Sequence, residues 1–274
     1  MLKVAITGST GLIGTRLIEL LNNDFDFIPL LQKEVDITNK LSVNKKIGSI
    51  NFDILLHLAA YTNVDQAEKE REKAYNLNVN GTRYLFEAVK AKSKQFIYIS
   101  TEAVFDGKNP PYYEDSIPNP LGYYAQTKFE AEEIVKDKAM IVRIAYPYRT
   151  YFKRKPDFVW KIKSLLENGK ELFMMTDAKI TLTFVDDIAY ALKYLLNNYS
   201  PEIFHIVGEN SLSPYDAGLL IAQKFKLNNK LIKSITYDEY IKNKAIRPKC
   251  AEIKSKKNNF YKMKTFQQGL NYIF

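Results

Sequence analysis

Leu2-Lys3-Val4-Ala5-Ile6-Thr7-Gly8-Ser9-Thr10-Gly11-Leu12-Ile13-Gly14 opens the chain, and its reading decides the fold. The first six residues form a short apolar run with β-branched side chains, as a buried strand requires. Behind the glycines, Leu12, Ile13, Leu17, Leu20 and Leu21 recur at helical spacing. Glycines between a strand and a helix allow a tight turn, close backbone approach to a pyrophosphate, and close packing of helix on strand. The helix start adds free N–H groups and the positive end of a dipole. Gly8, Ser9, Thr10, Gly11, Leu12, Ile13 and Gly14 are therefore expected to cradle a dinucleotide. The spacing is GxxGxxG rather than GxGxxG; its place between a strand and a helix gives it weight.

The same alternation continues outward from this loop. Further strands are expected at 27–31, 53–59, 95–100 and 140–145, with helical spacing between them. Continuous apolar strands alternating with helices argue for a parallel sheet covered on both faces by right-handed crossovers. The expected fold is α/β, a doubly wound parallel sheet of the Rossmann type with a smaller C-terminal substrate lobe. Residues 1–150 are assigned to the dinucleotide half, with 184–200 packing back on it, and 151–183 and 201–274 to the lobe. In the lobe, 158–166, 186–197 and 214–225 have helical patterns and 203–207 reads as a strand. The Pro-rich stretch 109–120 reads as a loop.

Composition narrows the chemistry. The 274 residues carry a net charge of +9, are 46% hydrophobic and include one cysteine. That cysteine, Cys250, excludes an intramolecular disulfide and every Cys-pair metal or redox motif. His57 and His205 are the only histidines, too few for a multi-His metal centre, and no metal site is expected. No leader precedes the first strand and no run of about 18 apolar residues occurs, so a cytoplasmic protein without a membrane span is expected. The basic excess is concentrated in residues 224–264, which hold 13 Lys or Arg against three acids, a net of +10. Such a segment suits a solvated surface, an anionic substrate or nucleic acid.

An acidic residue about 20 positions beyond the glycine loop would bind the ribose 2′-OH of NAD. Here the second strand ends in Leu31-Gln32-Lys33, and Lys33 suits a 2′-phosphate. NADP(H) is therefore preferred, with NAD(H) retained because Glu34 follows directly; Asp36 and Ile37 are placed beside the adenine. Carbonyl reduction by hydride also needs a proton donor. Tyr124 and Lys128, four residues apart, share one helical face, and the ammonium is expected to lower the phenol's pKa from about 10 toward working pH. The pairs Tyr151/Lys155 and Tyr240/Lys244 have the same spacing. Only Tyr124/Lys128 opens a helical pattern (125–137) downstream of a strand that ends in hydroxyls, Ser100 and Thr101.

With these residues assembled, the chain resembles the extended short-chain dehydrogenase/reductase family, and within it the dTDP-4-dehydrorhamnose reductases. The matching stretches include GSTGLIG (8–14), VDIT (35–38), HLAAYTNVDQAE (57–68), LNVNGT (77–82), YISTEAVFDG (98–107), PYYEDSIPNPLGYYAQTKFEAEE (111–133), VRIAYPYR (142–149) and TFVDDIAYAL (183–192). IFHIVGENSLSPYDAG (203–218) and AIRPKCAEI (245–253) look like later signatures of the family.

The resemblance implies reduction of the 4-keto group of a nucleotide-linked 6-deoxy sugar, dTDP-4-dehydro-L-rhamnose to dTDP-L-rhamnose. Thr101 would hold the carbonyl, Tyr124 would protonate its oxygen, and Lys128 would tune Tyr124 and bind the nicotinamide ribose. Leu58, Ala59, Ala60, Tyr61, Asn78 and Ser100 would border the cofactor. Thr62, Val64, Asp65 and Tyr146 would shape the sugar pocket, with Arg247 and Lys249 facing the diphosphate. The nucleotide sugar is the expected partner, with room for a homodimer and no role for nucleic acid or membrane. Glu102 and Ala103 stand where the family's STDYVFDG has Asp and Tyr, and Tyr146 replaces a Trp. Related 4,6-dehydratases carry an Asp-Glu pair after the Thr, and Ala103 removes one of those carboxylates. Epimerases share the Tyr/Lys pair. A regulatory subunit of methionine adenosyltransferase also looks like these reductases and supplies a non-enzymatic alternative.

Overall fold

The computed structural model describes every residue except Lys155 and Asn243. The Tyr151/Lys155 spacing therefore lies partly outside the described residues. Six strands form the central sheet: β1 (Leu2–Thr7), β2 (Phe25–Leu30), β3 (Ile54–His57), β4 (Gln95–Thr101), β5 (Met140–Ile144) and β6 (Ile203–His205). They run parallel in the order β6-β5-β4-β3-β1-β2. The order reverses between β1 and β3, and ligands of doubly wound sheets bind beyond the strand ends at such a reversal.

Both faces of the sheet are buried, which is why its strands are apolar throughout rather than alternating. Val4, Ile6, Leu56, Ile97, Ile99 and Val142 point to one face, against α1 (Leu12–Leu21) and the later helix Val185–Asn197. Ala5, Leu55, Phe96, Tyr98 and Ile141 point to the other, against α2 (Lys40–Ser49), α3 (Gly81–Ala91) and α4 (Tyr123–Val135). Burial of each large side chain contributes about 1.5–3 kcal/mol.

Beyond β5 lie α5 (Phe158–Glu167), α6 (Val185–Asn197) and α7 (Pro214–Lys224). Trp160, Ile162, Ile221, Phe266 and Leu270 form a separate apolar cluster there. Short parallel strand pairs surround it, Leu172–Met175 with Ile232–Ile235 and Lys179–Ile180 with Cys250–Ala251.

Two expectations need correction. Residues 201–274 do not all belong to the lobe, because Ile203–His205 is the sixth strand of the main sheet. The third strand stops at His57 instead of 59, since the Leu58 and Ala59 N–H groups donate to Thr7 Oγ1 rather than to a neighbouring strand. The loop 109–120 is pinned in the middle, where Tyr112 bridges to Ile253 and stacks on Phe105.

Candidate active site

The glycine loop occupies the reversal point, and its close contacts explain the residue type. Gly8 has φ +68°, and a Cβ there would lie 2.8 Å from Ala59 N at the end of β3. At Gly14 a Cβ would come within 2.4 Å of Gly8 O, so α1 touches the loop backbone. Gly11 caps α1 without a side-chain bond, and its first turn holds no acid. Its free N–H groups and dipole therefore face the crevice, the arrangement that binds a pyrophosphate. Ser100 Oγ is buried without a hydrogen-bond partner among the described residues. Glu34 is drawn to Lys46 at 2.8 Å, leaving Lys33 exposed at the end of the β2 turn. The Asp36 carboxylate accepts from Thr38, while Ile37 is buried beneath Gly81. These features fit a dinucleotide with a 2′-phosphate.

The crevice floor is held by a buried chain of hydrogen bonds. Thr82 donates to Asn78 O, so it accepts from His57 Nε2; His57 Nδ1 then accepts from Thr7, 2.7 Å away. Burial brings the His57 pKa down to about 3, with Lys128 adding to it, so the ring is neutral. Asn78 lies in a π-helical turn, Asn76–Asn80, and its Nδ2 donates to Tyr61 O and Thr127 Oγ1 while Oδ1 accepts from Tyr61 N. Both Nδ2 hydrogens are used within the protein. Asn78 thus fixes the loop Leu58-Ala59-Ala60-Tyr61, and the Tyr61 hydroxyl turns to Glu70.

β4 carries Ser100 and Thr101 to the carboxyl edge, and α4 brings Tyr124 and Lys128 beside them. Glu68 accepts from Tyr123 N at 2.7 Å and so caps the first turn of α4 from across the crevice. Thr101 lies close enough to Tyr124 to pull the phenol's pKa down against burial. The Lys128 ammonium donates to Ile99 O at 2.9 Å and lies over the Tyr98 ring. Burial brings its pKa down to about 7. The Tyr124 phenol does not behave as its spacing from Lys128 suggests. Burial, then the charge of Glu102, push its pKa up from the ordinary value. Lys128 spends its ammonium on the β4 carbonyl of Ile99, and Glu102 supplies the charge that adds to burial at the phenol.

On the substrate side, Tyr146 adopts φ +36°, a strained conformation of the kind that clusters at functional sites. Burial and then Glu102 push its pKa up, and Arg247 opposes them. A strap at residues 245–250 covers this side, with Ile246 O 2.6 Å from where a Gly122 Cβ would be, immediately before Tyr123 and Tyr124. Arg247 and Lys249 are not left bare for a diphosphate. Arg247 pairs with Asp65, whose carboxylate also accepts from Ala245 N, and Lys249 pairs with Asp177 at 2.6 Å. Val64 and Asp65 lie on the short helix Val64–Ala67, next to exposed Thr62. Lys233, Lys256, Lys257 and Lys264 likewise reach carboxylates outside residues 224–264, so with Arg247 and Lys249 six of the segment's 13 cations are paired across the fold.

A family model described as the RmlD substrate binding domain matches residues 2–274. The chain belongs to the RmlD substrate-binding domain family. The dTDP-4-dehydrorhamnose reductase of Aggregatibacter actinomycetemcomitans is 34% identical over 257 residues, 88% of this chain and 86% of the relative. The methionine adenosyltransferase 2 subunit beta of Danio rerio is 30% identical over 243 residues, 82% of this chain and 74% of the relative. The crystal structure of dTDP-4-dehydrorhamnose reductase from Bacillus anthracis in complex with NADP shares the fold with a TM-score of 0.91 at 30% identity, covering 99% of this chain and 98% of that one.

Within this RmlD-family site, two long-range hydrogen-bonding arrangements carry no local sequence signal. Thr7, His57 and Thr82 meet across 50 and 25 positions, and Glu68 reaches Tyr123 across 55. The quoted opening stretch did contain Thr7, the last strand residue before the loop, where a hydroxyl can tie strand ends together.

Proposed function

We infer that this protein reduces the 4-keto group of a nucleotide-linked 6-deoxy sugar, dTDP-4-dehydro-L-rhamnose, to the alcohol of dTDP-L-rhamnose, using NADPH in preference to NADH. What carries the reading is the meeting of Thr101, Tyr124 and Lys128 on the sheet edge that holds the glycine loop, in a chain 34% identical to a dTDP-4-dehydrorhamnose reductase. NADPH, when bound along residues 8–14 with Leu58, Ala59, Ala60 and Ser100 beside it, supplies the hydride. Tyr124 gives its phenolic proton to the carbonyl oxygen while Thr101 holds that oxygen. Lys128, one turn on from Tyr124 and anchored on the Ile99 carbonyl, holds the ribose. Residues 1–150 with 184–205 serve the dinucleotide, and 151–183 with 206–274 the sugar nucleotide.

The test adds the purified protein to dTDP-4-dehydro-L-rhamnose and NADPH and follows loss of nicotinamide absorbance. Oxidation of NADPH matched by formation of the alcohol supports the reading. Tight NADPH binding with no turnover favours a non-catalytic subunit instead; the Danio rerio relative is named as the beta subunit of a methionine adenosyltransferase. Two substitutions refine the picture. Lys33→Ala is expected to raise the KM for NADPH about tenfold, equivalent to about 1.4 kcal/mol, and to leave that for NADH nearly unchanged. Equal changes for both cofactors would remove Lys33 from the 2′-phosphate. Arg247→Ala is expected to raise the KM for the sugar nucleotide about tenfold with kcat changed less than about twofold. An unchanged KM would confine Arg247 to its pairing with Asp65.

A further inference from the structure

Glu102 is a buried carboxyl group beside the reacting residues, with 9% of its surface exposed and no ion-pair partner among the described residues. Two cations of the site are engaged elsewhere, Lys128 on the Ile99 carbonyl and Arg247 on Asp65. Its Oε2 lies 2.8 Å from Thr101 Oγ1. Thr101 Oγ1 also accepts from Ala103 N at 3.2 Å and lies close enough to Tyr124 to pull its pKa down.

A hydroxyl has one hydrogen and two acceptor sites, and an ionised carboxylate can only accept. With Glu102 ionised, the Thr101 hydrogen must point at Glu102, and Thr101 turns only a lone pair toward Tyr124. A carbonyl oxygen on its way to an alkoxide needs donors, so in that state Thr101 cannot hold it. With Glu102 protonated, its O–H donates to Thr101, and the Thr101 hydrogen is released toward the carbonyl. The switch takes up one proton, on Glu102, and reverses the Thr101–Glu102 bond while the Ala103 N–H goes on donating to Thr101.

We propose that Glu102 is a positioning residue that works as a carboxylic acid, its proton turning the Thr101 hydroxyl toward the substrate carbonyl and its ionisation turning that hydroxyl away. The proposal rests on the reductase reading above. Burial agrees with it, pushing the Glu102 carboxyl up to about 7 against the pull of Thr101 and the backbone N–H groups. The groups facing it are Thr101 on its own strand end, Tyr124 on α4 with Lys128 one turn on, and Tyr146 after β5, on which Arg247 also acts. Both phenols are pushed up and stay protonated across the neutral range. Lys128 titrates near the same pH, so the decisive comparison is between variants.

In wild type, kcat/KM is expected to fall on the alkaline side of neutrality. Glu102→Gln keeps a donor for Thr101 and cannot ionise. It is expected to stay within about threefold of wild type at about pH 6 and to exceed it about tenfold at about pH 8.5, with the residual Lys128 step intact. Glu102→Ala, which folds and binds NADPH but supplies no donor, is expected to be slow at both. A Gln profile that superimposes on wild type, or a Gln variant as slow as Ala at the lower pH, overturns the proposal. A second measurement needs no substrate. Infrared difference spectra should show a carboxylic-acid C=O band at about pH 6 that vanishes by about pH 8.5 and is missing in Glu102→Gln. Its absence from wild type overturns the Glu102 proposal whether or not the sugar is reduced. Its presence with no sugar turnover sinks the reductase reading and leaves the protonated Glu102 standing.

Discussion

Replacing Tyr124 by Phe is expected to slow reduction of the sugar by about 10²–10⁴-fold, the usual contribution of a positioned general acid. The substitution removes one oxygen and keeps the ring, so NADPH affinity and the KM for the sugar should change little. Tyr124 sits on the second residue of α4, whose start is capped by Glu68 and pressed against the strap at Ile246. That backbone is unaffected by loss of a hydroxyl. The phenol's raised pKa has a direct consequence for the chemistry. An acid above its ordinary value is fully protonated at neutral pH and is matched to an alkoxide, which is a far stronger base. Deprotonation of Tyr124 therefore does not shape the neutral pH profile, and any fall in rate there belongs to other groups. Single-turnover mixing of enzyme, NADPH and sugar nucleotide checks the expectation. A Tyr124→Phe rate within about fivefold of wild type would move the proton donor elsewhere.

The glycine loop was legible because its causes are local. Gly8 and Gly14 are pressed on backbone within a few residues or at the adjacent strand end, and only glycine fits. The sheet was legible because two-face burial makes its strands apolar throughout, a signal that needs no partner to be seen. Tyr124 and Lys128 read as a helical pair behind a strand ending in hydroxyls, and the fold does place both on α4 with Thr101 at the end of β4. Electrostatics was not legible. Spacing placed an ammonium under a phenol and suggested a lowered pKa, but burial acts on both groups and the charge that acts on Tyr124 is that of Glu102. The segment 224–264 misled for a related reason. Its charge is large when counted along the chain, yet Arg247 finds Asp65 across 182 positions and Lys256 finds Asp115 across 141. Pairing at such range depends on tertiary structure alone.

Glu132→Gln should be the most destabilising single change in the catalytic helix, by about 3–5 kcal/mol. Glu132 lies one turn beyond Lys128 on α4 and grips Arg143 of β5 in a two-pronged pair, Nε to Oε1 at 3.0 Å and Nη2 to Oε2 at 2.7 Å. Both side chains are 2% exposed. Two charges withdrawn from water are tolerated because each meets the other's full hydrogen-bonding geometry, and removing one leaves the other uncompensated. The remaining neighbours of Arg143 cannot take over: Phe105 offers only its ring face, and His205, brought down to about 4 by burial, offers one neutral nitrogen. The second effect falls on the site. Glu132 is the group that holds the Lys128 pKa up against burial, so its neutralisation lowers that pKa further. A smaller share of Lys128 is then cationic at neutral pH, and the alkaline fall of kcat/KM moves to lower pH. Pairing Glu132→Gln with Arg143→Met removes both charges, and most of the lost stability should return while the shift in the Lys128 step remains. Urea unfolding of wild type, both single variants and the double variant separates the two effects. A double variant no more stable than Glu132→Gln alone would show that the pair is not the source of the cost.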